Sequence, residues 1–536
     1  MSRASRVPTA PSLPPQVSPP QVALTHVPLH ALVGVDVVAL PVLPADGAER
    51  TEGADGADGA DAPLLGPGAA ELAELLDLDL VAIAEAAGLT GAVGESLVVP
   101  VPLGAPENAD LRAVVLLGVG GQSPTDLRRA AATLARVVRD RDAVATTIAA
   151  LDAEHGIEAA VVGLMLGSFS FSWRSRPPER VPVRSVVLAG LPEHAADVDA
   201  AALDRALALG GAAWRARTLA TVPSNLKNPA WLAARAEEIA EEAGLTCRVW
   251  DDEQLRAEGF GGIIGVGQGS ATPPRLIRLD YSPPGATRKT PTVVLVGKGI
   301  TFDTGGISIK PAQGMVAMKR DMTGGAVVLS AMAALGAVGC PVRVVGLVPA
   351  AENAVSGSAT RPGDVLRHYG GRTSEVTNTD AEGRLVLGDA LAYAVAELDP
   401  AVVVDVATLT GGAKVALGQQ VGALFANDDA LAGHLLDAGT SAGEPFWRLP
   451  LFAGYEEKLA SKVADADNGP SGPGAVMAAL FLQHFVGGLP WAHLDIASVG
   501  DVPDDRYEWT EGPSGFGARA LLTWLGDPDP LAGVGA

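Results

Sequence analysis

The chain has 536 residues, too many for one hydrophobic core, so it folds as two or more domains; only 19% are charged and mean hydropathy is +0.25, so much of it can be buried. Acidic residues outnumber basic ones, 62 to 39, and the resulting net charge of −23 argues against nucleic acid or an anionic membrane surface as the main partner. Two cysteines, Cys247 and Cys340, stand in unrelated contexts, which excludes a disulfide framework or a C-x-x-C zinc motif and fits a reducing cytoplasm.

Residues 1–24 are rich in proline and serine and lack a continuous apolar segment. They read as a disordered tail rather than a secretory signal. No apolar run reaches the roughly 18 residues of a transmembrane helix. Residues 22–43 are rich in Val and Leu and read as strand. Residues 44–63 repeat Ala-Asp-Gly and read as a solvated acidic insertion. From about residue 72 to 191 helices and strands alternate. Strands are predicted over 96–101, 112–117, 160–166 and 181–188, with a helix over 125–138 started by Ser123 or Thr125. The run Gly118-Val119-Gly120-Gly121 lacks the further glycine of a dinucleotide fingerprint and the Gly-Lys-Ser/Thr of a phosphate loop, and reads as a tight turn. The alternation predicts a smaller N-terminal α/β domain over 25–195.

Residues 196–222 form an Ala- and Leu-rich linking helix that Pro223 stops. Alternation resumes over 223–536. Helices are predicted at 229–243, 324–335, 384–398, 472–485 and 518–525, and strands at 275–281, 291–296, 342–348, 401–406 and 492–497. This is a second, larger α/β domain.

The chemistry lies in that second half. The run Asn378-Thr379-Asp380-Ala381-Glu382-Gly383-Arg384-Leu385-Val386-Leu387 places two carboxylates just ahead of an apolar helix. Close carboxylates at a core edge repel each other unless a cation offsets them. Upstream, an apolar strand enters a glycine-rich loop carrying Lys298, Asp303 and Lys310, and Asp321 precedes the helix over 324–335. Ligands of open α/β sheets bind at the carboxyl ends of strands. Asp303, Asp321, Asp380 and Glu382, set against Lys298, Lys310 and Arg384, are too many carboxylates for one tetrahedral zinc and suit a two-metal site. A charge-balanced surface network of four acids and three bases is the alternative reading. There is no H-E-x-x-H and no G-x-S-x-G. His493, in an apolar strand, reads as a hydrogen-bonded core histidine.

The stretch 378–385 resembles the signature of the leucyl aminopeptidase (cytosol aminopeptidase) family. The resemblance continues through 296–310, 318–322, Arg361-Pro362-Gly363-Asp364-Val365, Ala407-Thr408-Leu409-Thr410-Gly411 and Trp491-Ala492-His493-Leu494-Asp495-Ile496-Ala497, and covers roughly 205–525. It implies a larger C-terminal catalytic domain over 223–536 with a mixed sheet between helices. It implies two divalent ions, Mn²⁺ or Zn²⁺, held by Lys298, Asp303, Asp321, Asp380 and Glu382, with Glu382 shared. Lys298 would then be neutral, its pKa lowered by the ions. Lys310 would stabilise charge on the scissile carbonyl oxygen, and Arg384 would hold a bicarbonate acting as general base. Met318, Asn378, Thr408 and Gly411 would face the substrate. The activity implied is release of leucine or another apolar residue from peptide N-termini by a metal-activated water, in a cytoplasmic homohexamer. A narrow dipeptidase of the Cys-Gly type, or an added DNA-binding role, are the alternatives within the family.

Overall fold

The computed structural model describes residues 13–45, 63–102, 104–106 and 108–536. Its first sheet contains β1 (Gln21–Leu24), β2 (Val37–Leu43), β3 (Leu64–Leu65), β4 (Ser96–Pro100), β5 (Ala113–Gly118), β6 (Ala143–Thr146) and β7 (Ser185–Leu188). The order is β1-β7-β6-β2-β5-β4, with β3 beside β2. Pairing is parallel from β1 to β5, and β4 and β3 run antiparallel to their neighbours. The tail predicted over 1–24 is therefore corrected in part. Residues 1–12 lie outside the described residues, but Val22 to Leu24 pair in a parallel ladder with Val186 to Leu188. Most of the acidic repeat, 46–62, also lies outside the described residues.

The segment 160–166, predicted as strand, is the middle of a helix, Gly156–Gly167, and all but one of that helix's residues are buried. A short, wholly apolar run carries no periodicity to separate strand from helix. Tertiary packing decides. A Cβ at Gly163 would lie 2.1 Å from the carbonyl of Arg128, and one at Gly167 2.5 Å from that of Ala132. The two glycines, four apart, let this helix touch the backbone of helix Pro124–Val137, which Ser123 caps as predicted.

The second sheet is mixed. It contains β8 (Thr246–Trp250), β9 (Arg275–Tyr281), β10 (Thr292–Gly297), β11 (Gly299–Asp303), β12 (Arg343–Asn353), β15 (Val402–Ala407), β16 (Gly422–Ala426), β17 (Phe446–Arg448) and β19 (Trp491–Asp495). The order is β17-β16-β19-β15-β10-β12-β9-β8, with β11 beside β12. A small sheet of β13 (Val365–Arg367), β14 (Thr373–Glu375) and β18 (Ala466–Asp467) lies to one side. In β10, Val293 and Leu295 enter one core while Val294 and Val296 enter the other. An unbroken apolar run is what a strand covered on both faces requires. Helices Ala196–Thr221, Pro229–Ala243, Thr323–Met332 and Ala518–Leu525 cover the first face; Gly261–Gly267, Gly383–Glu397 and Gly474–Gln483 cover the second. Each fully buried Val or Leu contributes about 1.5–3 kcal/mol to holding these layers together.

The linking helix, Ala196–Thr221, joins the two halves. Arg217 on it is fully buried, lies 4.3 Å over the Phe169 ring and donates to the carbonyl of Leu166 at 3.1 Å. Beside it, Arg128 of the first half donates to Glu508 of the second at 3.0 Å, both buried. Among the described residues no helix is long and apolar enough to cross a membrane.

Candidate metal centre

Strands β10, β15 and β19 are parallel, and their carboxyl ends open onto one spot. Lys298 follows β10, Asp303 closes β11, Thr408 follows β15 and Asp495 closes β19. Asp321 precedes helix Thr323–Met332, and Asp380 and Glu382 precede helix Gly383–Glu397. These segments line a cavity of about 200 Å³ that includes Lys298, Asp303, Lys310, Asp321, Asp380, Glu382 and Arg384.

One oxygen from each of Asp303, Asp380 and Glu382 lies within 4.8 Å of the others. Lys298 Nζ lies 2.9 Å from Asp321 and 2.8 Å from Glu382, and donates to the carbonyl of Thr408 at 3.1 Å. Lys310 Nζ lies 2.8 Å from Asp303 and pairs closely with Asp380. Burial pushes the carboxyl pKa values of Asp303, Asp321 and Asp380 up, and Glu382 adds to the push on the first two. Burial works against charge on Lys298, but Asp321, Glu382 and Asp303 outweigh it and raise its pKa. The neutral Lys298 expected from the sequence belongs to a site in which divalent ions take over those carboxylates; with the protein's own groups alone it is held charged.

Further groups hold these carboxylates in place. Asp303 Oδ1 accepts from the Gly305 N–H and from Asn353 Nδ2, both at 2.8 Å. Thr408 Oγ1 donates to Asp321 Oδ1 at 2.8 Å. Asn468 Nδ2 donates to the carbonyl of Asn378 at 2.8 Å and its Oδ1 accepts from the Thr377 N–H at 2.9 Å, so the loop ahead of the helix is held at both ends. Asp495 accepts from the N–H groups of Leu409 and Thr410, at 3.1 Å each. A Cβ at Gly383 would lie 2.7 Å from Lys298 Nζ, so glycine there leaves the ammonium its place.

The residues fit divalent ions. Glu382 is 2% exposed, and its Oε2 has no hydrogen-bond partner. A buried carboxylate oxygen without a donor is costly unless a cation meets it. Carboxylate oxygens with a single amine suit Mn²⁺ or Zn²⁺. Arg384 behaves differently from the lysines. It is buried, which pushes its pKa down to about 10, and its Nε has no partner. It is a cation beside the cluster with a donor to spare.

Met318, Thr408 and Gly411 line the cavity. Asn378 is not among its lining residues; its Oδ1 accepts from the Asp380 N–H at 2.9 Å and so shapes the loop. Sequence reasoning missed Asn353, Asn468, Arg320 and Lys414. Asn353 ends the long buried strand β12, and a lone amide there was the available signal. Asn468 lies in a Gly/Pro-rich loop whose only local cue was its composition. His493 is buried, with Nδ1 2.5 Å from Asp405 Oδ1, a core histidine as predicted. A row of Ser374, His368 and Asp389, spaced at 2.9 Å and 2.9 Å, is wholly buried and serves packing.

Comparison with known proteins agrees with this geometry. The catalytic-domain profile of the cytosol aminopeptidase family matches residues 214–522, and its N-terminal-domain profile matches 59–176. The chain is 41% identical over 450 residues to a probable cytosol aminopeptidase of Syntrophotalea carbinolica, covering 81% of this chain and 89% of that one. It is 40% identical over 491 residues to one from Streptomyces coelicolor, covering 86% and 92%. Among solved structures, it resembles the bottromycin maturation enzyme BotP in complex with manganese, with TM-score 0.76, 36% identity and coverage of 92% and 99%. It also resembles a mutant of tomato leucine aminopeptidase, with TM-score 0.81, 30% identity and coverage of 96% and 98%. The chain belongs to the cytosol aminopeptidase family and is a metal-dependent exopeptidase acting on peptides.

Proposed function

We propose that the chain removes leucine and other apolar residues from peptide N-termini at a site for two divalent ions, with a bicarbonate at Arg384. The observation that carries this is the meeting of Asp303, Asp380 and Glu382 oxygens within 4.8 Å, together with a buried Glu382 Oε2 that has no hydrogen-bond partner. Asp303, Asp380 and Glu382 would hold one ion, and Lys298 and Asp321 with the shared Glu382 would hold the other. When bound, such a pair of ions acidifies a water and polarises the scissile carbonyl. The manganese named for BotP supports Mn²⁺ as a working metal.

The chain's own residues do the rest. Lys310 is cationic and lies beside Asp303 and Asp380, and its ammonium would stabilise negative charge developing on the substrate carbonyl oxygen. Arg384, through the donors left free of Asn468, would hold the bicarbonate, which would supply a general base beside the cluster. Met318, Thr408 and Gly411 form the wall for the first side chain. We place the catalytic domain at 223–536, the linking helix at 196–222 and the N-terminal domain at 25–195. We take the working form to be a cytoplasmic homohexamer; exposed apolar side chains such as Trp447, Phe452 and Val463 support self-association.

The test is release of an N-terminal leucine chromophore with Mn²⁺ or Zn²⁺, with and without chelator, in the wild type and Glu382→Ala. Turnover that needs metal and is lost in the variant is expected. A protein with two ions bound that cleaves no peptide with a free N-terminus overturns the reading.

A further inference from the structure

We propose that Lys414 extends the substrate range to peptides with an N-terminal acidic residue, glutamate above all, by meeting the side-chain carboxylate at the outer end of the side-chain pocket. This rests on the aminopeptidase reading above. Five cationic side chains line the cavity: Lys298, Lys310, Arg320, Arg384 and Lys414. Cluster carboxylates hold the two lysines of the metal site, and Arg320 pairs with Asp501 at 2.5 Å. Arg384 is buried against the carbonyl of Asn468. Lys414 is exposed, and among the described residues its ammonium has no ion-pair or hydrogen-bond partner.

Its position gives that free charge a use. Lys414 lies three residues after Gly411 on helix Gly411–Leu417, on the same face and about 4.5 Å further along the axis. A Cβ on Gly411 would meet no atom within 4 Å, so this face of the helix borders open space. The near end of the same wall is fixed at the metal centre, where Lys298 Nζ donates to the carbonyl of Thr408. A substrate with its amine at the ions sends its first side chain along Thr408, Met318 and Gly411 toward Lys414. Glutamate suits this path: its two methylenes lie on the apolar wall, as leucine does, and its carboxylate reaches the ammonium. Aspartate is one methylene short, and an N-terminal lysine meets a like charge. A chain of net charge −23 offers an acidic peptide no long-range attraction, so recognition must come from a local cation.

The experiment measures kcat/KM of the Mn²⁺-loaded full chain on Glu, Asp, Leu and Lys coumarin amides, for the wild type, Lys414→Met and Lys414→Arg. Lys414→Met should lower the Glu-to-Leu ratio of kcat/KM about two- to fivefold, chiefly through KM, and raise the Lys-to-Leu ratio. Lys414→Arg should keep both ratios near wild type, and added salt should shrink the Glu preference. Ratios in Lys414→Met equal to those of the wild type overturn the proposal. Failure of the wild type on every amide would instead count against the aminopeptidase reading itself.

Discussion

Arg384 Nη1 donates to the main-chain carbonyl of Asn468 at 2.8 Å and makes no ion pair with Glu382, two residues before it. The backbone thus aims the guanidinium while its charge stays uncommitted. Arg384→Ala should keep two metal ions per chain but lower kcat about 10²-fold and abolish stimulation by bicarbonate. Metal analysis with steady-state rates in bicarbonate-depleted and supplemented buffer checks it; bicarbonate stimulation that persists in the variant defeats the assignment.

Gly383 stands where any side chain would press on Lys298. A methyl 2.7 Å from Nζ must push the amine aside, and a misplacement near 1 Å at a reacting centre can cost about 10²-fold in rate. Gly383→Ala should therefore lose activity steeply while its melting temperature stays close to wild type. A fully active variant would show that Lys298 has room to move.

Asn353 bridges Asp303 and the carbonyl of Thr379, at 2.8 and 3.0 Å, so it orients that carboxylate and ties it to the next loop. Partners behind a metal ligand typically carry about 10–100-fold in metal affinity. Asn353→Ala should weaken Mn²⁺ binding by that factor, as read by competition with a fluorescent chelator. Unchanged affinity would reduce Asn353 to a packing residue.

Glu508 is the buried carboxylate on which the seam between the halves depends. It pairs with Arg128, and its main-chain carbonyl lies 3.4 Å from Arg217 Nη1. Removing one partner of a buried pair leaves an uncompensated charge and costs about 3–5 kcal/mol. Glu508→Ala should lower the unfolding midpoint accordingly in denaturant. A loss below about 1 kcal/mol would mean that water reaches the seam.

The His493–Asp405 pair makes stability depend on pH. Burial works against the imidazolium, but Asp405 outweighs it and raises the pKa above the ordinary 6.5. The folded protein then binds this proton more tightly than the unfolded chain does. The pair's contribution is complete below about pH 6.5 and is lost as pH rises through the raised value. Asp405→Asn should therefore cost more stability at about pH 5.5 than at about pH 9. Urea midpoints at the two pH values decide it, and an equal cost at both contradicts the sign.

The sequence by itself determined the α/β character of both halves, the long linking helix and the residue types that meet at the candidate metal centre. Those are local properties. Val293 to Val296 are apolar without interruption because both faces of β10 are covered, and Asp380, Glu382 and Arg384 stand together because one loop carries them. Tertiary structure decided what depends on distant neighbours. Residues 160–166 are helical because their glycines meet another helix, and Gln21–Leu24 is a strand because β7 offers an open edge. Asn353 and Asn468 reach the centre from 26 and 90 residues away, measured to Thr379 and Asn378, so no local spacing marks them. The run 378–387 shows two carboxylates close together, but only the fold shows that Lys298 and Lys310 reach them while Arg384 and Lys414 make no ion pair among the described residues. Local sequence fixes which charges exist; long-range packing fixes which of them find partners.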